Sequence, residues 1–71
     1  MMENKLEELR IQKGWTQVEL ADKVGVSRQT IISLERGRYN PSILLAFRLA
    51  GQFGVKIEDL FIYSQEEDYD A

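Results

Sequence analysis

Only Gly25 and Val26 separate an amphipathic segment ending at Val24 from a new helix cap at Ser27. That short join constrains the chain more than any other feature. The upstream segment opens with Thr16 and Glu19, the T-x-x-E spacing in which each side chain satisfies a backbone N–H at the other's end. Val18, Leu20, Ala21 and Val24 then supply an apolar stripe at helical spacing, which predicts a helix from Gln17 to Val24. Glycine at position 25 ends it, where a left-handed backbone is cheap only without a Cβ. Ser27 caps the next helix, which runs from Arg28 to about Arg36 and is closed by Gly37. So tight a connection forces the two helices to cross steeply, in a helix-turn-helix arrangement. Ala21 is small where they approach, and Leu20, Val24, Val26, Ile31 and Leu34 fill the angle between them.

With Ile31 and Leu34 directed inward, Arg28, Gln29, Ile32 and Ser33 fall on the outer side of that second helix. Arginine can pair with guanine O6 and N7, glutamine with adenine N6 and N7, and isoleucine can touch a thymine methyl. These residue types on one exposed helix point to base reading in a major groove. The competing reading for Ile32 is a second core position.

The rest of the chain is helical by the same signals, and no segment alternates with the period of a strand. A first helix is predicted from about Asn4 to Lys13, with Leu6 and Leu9 inward, continued by Ile11 or Lys13, and Gly14 just past its end. Pro41 disfavours helix at Asn40, so Arg38-Tyr39-Asn40-Pro41 reads as a loop. A fourth helix runs from Ser42, its cap, to Phe53 before Gly54, and a fifth from Ile57 to about Tyr63. The expectation is an all-α, five-helix domain over residues 1–63, followed by an acidic tail without fixed structure at 64–71.

The chain has 71 residues, of which 44% are hydrophobic, so a modest core is within reach without metal or disulfide. It contains no cysteine and no histidine, which removes disulfides and Cys/His zinc sites. Without those residues or a glycine-rich phosphate loop, neither an enzyme nor a cofactor is expected. There is no secretory signal and no apolar run long enough for a bilayer, so a soluble, cytoplasmic protein without a membrane partner is expected. The net charge of −3 hides a strong asymmetry. Residues 1–57 hold all nine Lys/Arg against six acids, whereas 58–71 hold the other six acids and no base. A basic body of this kind is compatible with phosphate contacts.

The strings LEELRIQKGWTQVELADKVGVSRQTIISLERGRYNPS and FGVKIEDLF, between Lys5 and Phe61, closely resemble the Cro/CI (XRE) family of helix-turn-helix repressors. The resemblance implies a sequence-specific transcriptional regulator, acting as a repressor, with its third helix in the major groove. It implies base contacts from Arg28, Gln29 and Ser33. It assigns backbone contacts to Thr16, Gln17 and Thr30, and to Arg38, Tyr39 and Asn40 after the third helix. For Gln17 and Asn40 a purely local role, decorating a helix start or forming a turn before Pro41, remains open. The family likeness also implies a partly buried ion pair between Arg10 and Glu35. Two positions depart from the family pattern. Ile32 stands where a small polar residue is common, which leans the base preference toward a thymine methyl. Trp15 replaces an aliphatic and reads as a lid over the core.

One such domain makes few contacts with DNA, so a homodimer on a palindromic operator is expected. The apolar surplus late in the chain, Leu44, Leu45, Phe47, Phe61, Ile62 and Tyr63, exceeds what a small core can bury. The dimer interface is therefore expected at Phe61, Ile62 and Tyr63 of the fifth helix, with part of the fourth. The alternative is a monomer whose core absorbs these residues. A module that binds only another protein is the rival function, and the basic and amide groups of the third helix argue against it. With the helices ending near residue 63, regulation is expected through concentration, self-association or another protein.

Overall fold

A computed structural model describes residues 3–38 and 40–62. Five helices follow one another: α1 (Leu6–Gln12), α2 (Gln17–Val24), α3 (Arg28–Glu35), α4 (Ile43–Phe53) and α5 (Ile57–Leu60). Two short strands, β1 (Glu3–Asn4) and β2 (Phe61–Ile62), pair antiparallel at the chain ends, with Glu3 opposite Ile62 and Asn4 opposite Phe61. The fold is all-α apart from this two-residue clasp.

Local chemistry accounts for most helix boundaries. Thr16 and Glu19 form the reciprocal capping box, with both hydrogen bonds at 3.0 Å. Ser27 and Ser42 accept from the backbone N–H of Thr30 and Leu45, at 3.1 and 3.2 Å. The first four helices end alike. The residue after each closing glycine returns its N–H to a carbonyl five residues back: Trp15 to Arg10, Val26 to Ala21, Arg38 to Ser33 and Val55 to Ala50. These closures satisfy carbonyls that a helix end otherwise leaves without partners.

The core lies where the five helices converge, and Leu6, Leu20, Ile31, Leu34, Leu49 and Leu60 are fully buried in it. Trp15 packs on its edge, with its ring 5.6 Å from that of Phe53 and the Lys23 ammonium 4.7 Å from its own centroid. The indole is half-buried, a lid packed against the core with a cation over its ring.

Both chain ends depart from the local reading. α1 starts at Leu6 rather than Asn4, because Asn4 is drawn into β1 and its side chain makes one local bond at the helix start and one tertiary bond to α3. Its Oδ1 accepts from the Leu6 N–H at 3.0 Å, and its Nδ2 donates to the Leu34 carbonyl at 2.8 Å. Ile11 leaves the expected α1 stripe and is exposed. α5 stops after one turn, at Leu60, instead of continuing to Tyr63. Leu60 accepts from the Lys5 N–H at 2.9 Å, and Phe61 turns extended to pair with Asn4. A backbone partner nearly sixty residues away overrides the helical pattern. The same turn buries Phe61, which is only 6% exposed. Phe61 is therefore a core residue and not a surface for a partner, because the chain's own core has room for it. Tyr63 and the acidic segment 64–71 lie outside the described residues.

Candidate nucleic-acid interface

Gly25 carries the join between α2 and α3 at φ 76°, ψ 35°, a conformation that side chains with a Cβ adopt at a cost. Val26 then returns its N–H to Ala21, and Ser27 starts α3 at once. Ala21, Leu20 and Val24 of α2 meet Ile31 and Leu34 of α3 in the buried angle, with Val26 packed partly against them. The helix pair is thus set by apolar contacts on one side, which leaves the opposite side of α3 free.

On that side Arg28 and Gln29 are exposed, and Thr30, Ile32 and Ser33 are half-buried. Ile32 sits between the two readings of its sequence position, neither core nor fully exposed. The Thr30 hydroxyl lies 3.0 Å from that of Ser27, so both oxygens belong to the cap. Thr16 is exposed at the start of α2, and Arg38 and Asn40 are exposed beyond α3. Tyr39 lies outside the described residues.

The one carboxylate of α3 points away from this face. Glu35 has a side chain only 2% exposed, and its Oε2 lies 2.6 Å from Arg10 Nε. Its Oε1 accepts from Arg10 Nη2 at 3.3 Å and from Gln17 Nε2 at 3.1 Å. Arg10 Nη1 donates in addition to the Trp15 carbonyl at 2.9 Å. The Glu35 hydrogen bond raises the Arg10 guanidinium further above its ordinary value, so it stays charged. Fully hydrogen-bonded on both partners, the pair meets the condition under which a buried ion pair is tolerated. Its effect on the surface is to leave α3 with Arg28 and no exposed acid, followed by exposed Arg36 and Arg38.

Three features of this region have no local sequence signal. Gln17 is engaged by Glu35, so its amide is oriented by α3 and is not a free side chain at the start of α2. Asn4 anchors the N-terminal segment to the last turn of α3. Arg48 of α4 reaches over the turn, its Nη1 lying 3.9 Å from where a Cβ on Gly25 would stand. Each depends on residues far apart in the chain, and no spacing rule brings them together.

Two packed helices with a glycine turn, and a second helix whose outer face bears cationic and amide groups, define the helix-turn-helix class. The helix-turn-helix family profile matches residues 6–60. An HTH-type transcriptional regulator of Methanocaldococcus jannaschii is 58% identical over 66 residues, covering 93% of this chain and all of that protein. The immunity repressor of Bacillus phage phi105 is 31% identical, over 94% of this chain and 50% of the repressor. The crystal structure of SinR, the master regulator for biofilm formation, in complex with DNA superposes with a TM-score of 0.69. The identity is 31%, with 76% of this chain and 87% of that one covered. The chain belongs to the helix-turn-helix transcriptional regulators of Cro/CI (XRE) type, a family of DNA-binding regulators and not of enzymes.

Among the described residues no helix is long and apolar enough to cross a membrane. Nor does any group of three or more acidic, histidine or cysteine side chains among them stand ready to hold a metal.

Proposed function

We infer that the protein is a sequence-specific repressor that places α3 in the major groove of double-stranded DNA and acts as a homodimer on a palindromic operator. One observation carries the reading: α3 exposes Arg28 and Gln29 while its only carboxylate is buried against Arg10 and Gln17. An exposed acid beside the phosphates would be repelled by them, and α3 shows none. Arg28 and Gln29 supply bidentate groups for guanine and adenine, and Ser33 and the half-exposed Ile32 complete the base-reading set. Thr16, Gln17, Thr30, Arg38, Tyr39 and Asn40 form the phosphate-contacting set that fixes register. Gln17 keeps a second amide hydrogen for a phosphate while the first is held by Glu35.

Repression is favoured by the immunity-repressor relative and needs nothing beyond occupancy of a promoter. Dimerisation places two α3 helices about 34 Å apart, one turn of DNA, which a palindrome requires. The setting is an intracellular one, where DNA is reached directly.

Selection of binding sites from a random duplex pool, followed by salt titration on the winner, tests the reading. A single enriched palindrome is expected, with log affinity falling steeply against log salt as phosphate contacts release counterions. No enrichment together with salt-independent binding overturns it in favour of a module that binds protein alone.

A further inference from the structure

The charges of this chain are divided by position. Arg28 stands exposed at the start of α3, and Arg36 and Arg38 stand exposed beyond its end. Arg48 adds a fourth exposed cation over the turn that precedes α3, its Nη1 3.9 Å from where a Cβ on Gly25 would stand. The carboxylate of α3, Glu35, is committed to Arg10 and Gln17. The α3 face is therefore cationic at both ends. Residues 63–71 have the opposite character: they carry Glu66, Glu67, Asp68 and Asp70 and no base.

The fold fixes where that acidic segment leaves the domain. β2 ends at Ile62, and Phe61 beside it pairs with Asn4 of β1. Asn4 in turn donates to the Leu34 carbonyl, in the last turn of α3, at 2.8 Å. The segment is thus tethered beside the end of α3 that carries Arg36 and Arg38. Asp70 follows Ile62 at a reach of up to about 27 Å of extended chain. The eight residues of α3 are only about 12 Å long.

We propose that the segment from Glu66 to Asp70 occupies the cationic face of α3 in the free protein and is displaced by DNA. The proposal rests on the DNA-binding reading above and adds the regulation of that site. Cations that meet phosphates in the complex meet carboxylates of their own chain without it. Each such pair is exposed and weak, but a short tether holds the acids at an effective concentration on the order of millimolar. DNA must displace the segment whether or not its sequence matches, so matched and random duplexes lose affinity by the same factor. Specificity is kept, while occupancy of random DNA, which rests on phosphate contacts, falls.

The test compares the full chain with the variant Glu66→Gln/Glu67→Gln/Asp68→Asn/Asp70→Asn, which keeps the length and removes the charge. Fluorescence anisotropy at low salt is expected to show the variant binding a selected operator and random duplex alike, each roughly threefold to tenfold more tightly than wild type. The two proteins are expected to converge as salt rises. Without DNA, the side-chain N–H signals of Arg28, Arg36 and Arg38 in heteronuclear NMR spectra are expected to differ between the two, independently of protein concentration. Equal affinities overturn the proposal and leave the DNA-binding reading standing. Tighter binding with unmoved arginine signals is long-range repulsion and overturns the docking. Differences that grow with protein concentration assign the segment to a second copy and overturn the tether. DNA binding by neither protein overturns the functional reading and this regulation with it.

Discussion

Gln17, the first residue of α2, donates its side-chain amide to Glu35, the last residue of α3, at 3.1 Å. The same carboxylate receives Arg10 from α1. One buried acid therefore ties the last turn of α1 and the first residue of α2 to the end of α3, and couples the pose of α3 to that of Gln17. Removing the acid leaves Arg10 half-inside without its partner. Glu35→Ala is expected to cost about 3–5 kcal/mol of stability, whereas Arg10→Met/Glu35→Leu, which removes both charges, recovers most of it. Urea denaturation followed by circular dichroism checks both. Equal losses in the single and double variants would show that the charges are not the cause.

Arg28 and Arg38 are both exposed cations, yet they are expected to fail differently. Arg28→Ala should cost about 1–3 kcal/mol on a selected operator and relax preference at one base position. Arg38→Ala should weaken all sequences alike and reduce the salt slope by about 1. Fluorescence anisotropy on matched and single-mismatch duplexes at several salt concentrations separates the two. A uniform loss for Arg28 would remove it from the base-reading set.

Phe61 closes the core beside the β1–β2 clasp and is nearly inaccessible. Phe61→Asp is therefore expected to unfold the domain instead of splitting a dimer. Phe61→Ala should cost about 3–5 kcal/mol through the cavity it leaves. Thermal melting at two protein concentrations is the measurement. A folded, monomeric Phe61→Asp protein would return this residue to an interface.

The capping box gives α2 a modest pH dependence. Hydrogen bonds from the Thr16 backbone and hydroxyl hold the Glu19 carboxyl below the usual carboxylate range. A depressed folded-state pKa contributes stability above the unfolded value and loses it as pH falls through the folded one. Glu19→Gln keeps the geometry without the charge. The stability gap between wild type and this variant is expected near neutral pH and to close in acid, below the ordinary carboxylate range. A gap that persists in acid would place its origin in packing.

Helix caps, the α2–α3 turn and most inward positions are governed by neighbours in the chain, although Ile11 and Val18 are exposed and do not belong to the buried stripes. Thr16 with Glu19, Ser27 and Ser42 each cap a helix whose first turn follows them directly, and Gly25 and Gly54 end helices by backbone conformation alone. The inward positions Leu20, Val24, Ile31 and Leu34 follow from helical periodicity, and so does the exposed Arg28 and Gln29 face. Ile32 was not decided by periodicity. It lies at the margin of the stripe, where a small rotation of α3 sets its exposure.

The class of the fold, the turn between α2 and α3 and the residues offered on the outer side of α3 are legible from neighbouring side chains, since each depends on only a few adjacent positions. Long-range packing sets the inward turn of Phe61, the tie from Asn4 in β1 to α3, the bond from Gln17 to Glu35 and the groove shared by Phe47 and Gly51. The reason is the same in each case. Local propensity fixes φ and ψ over one or two turns, whereas these contacts depend on which distant surfaces the whole core brings within a few ångströms.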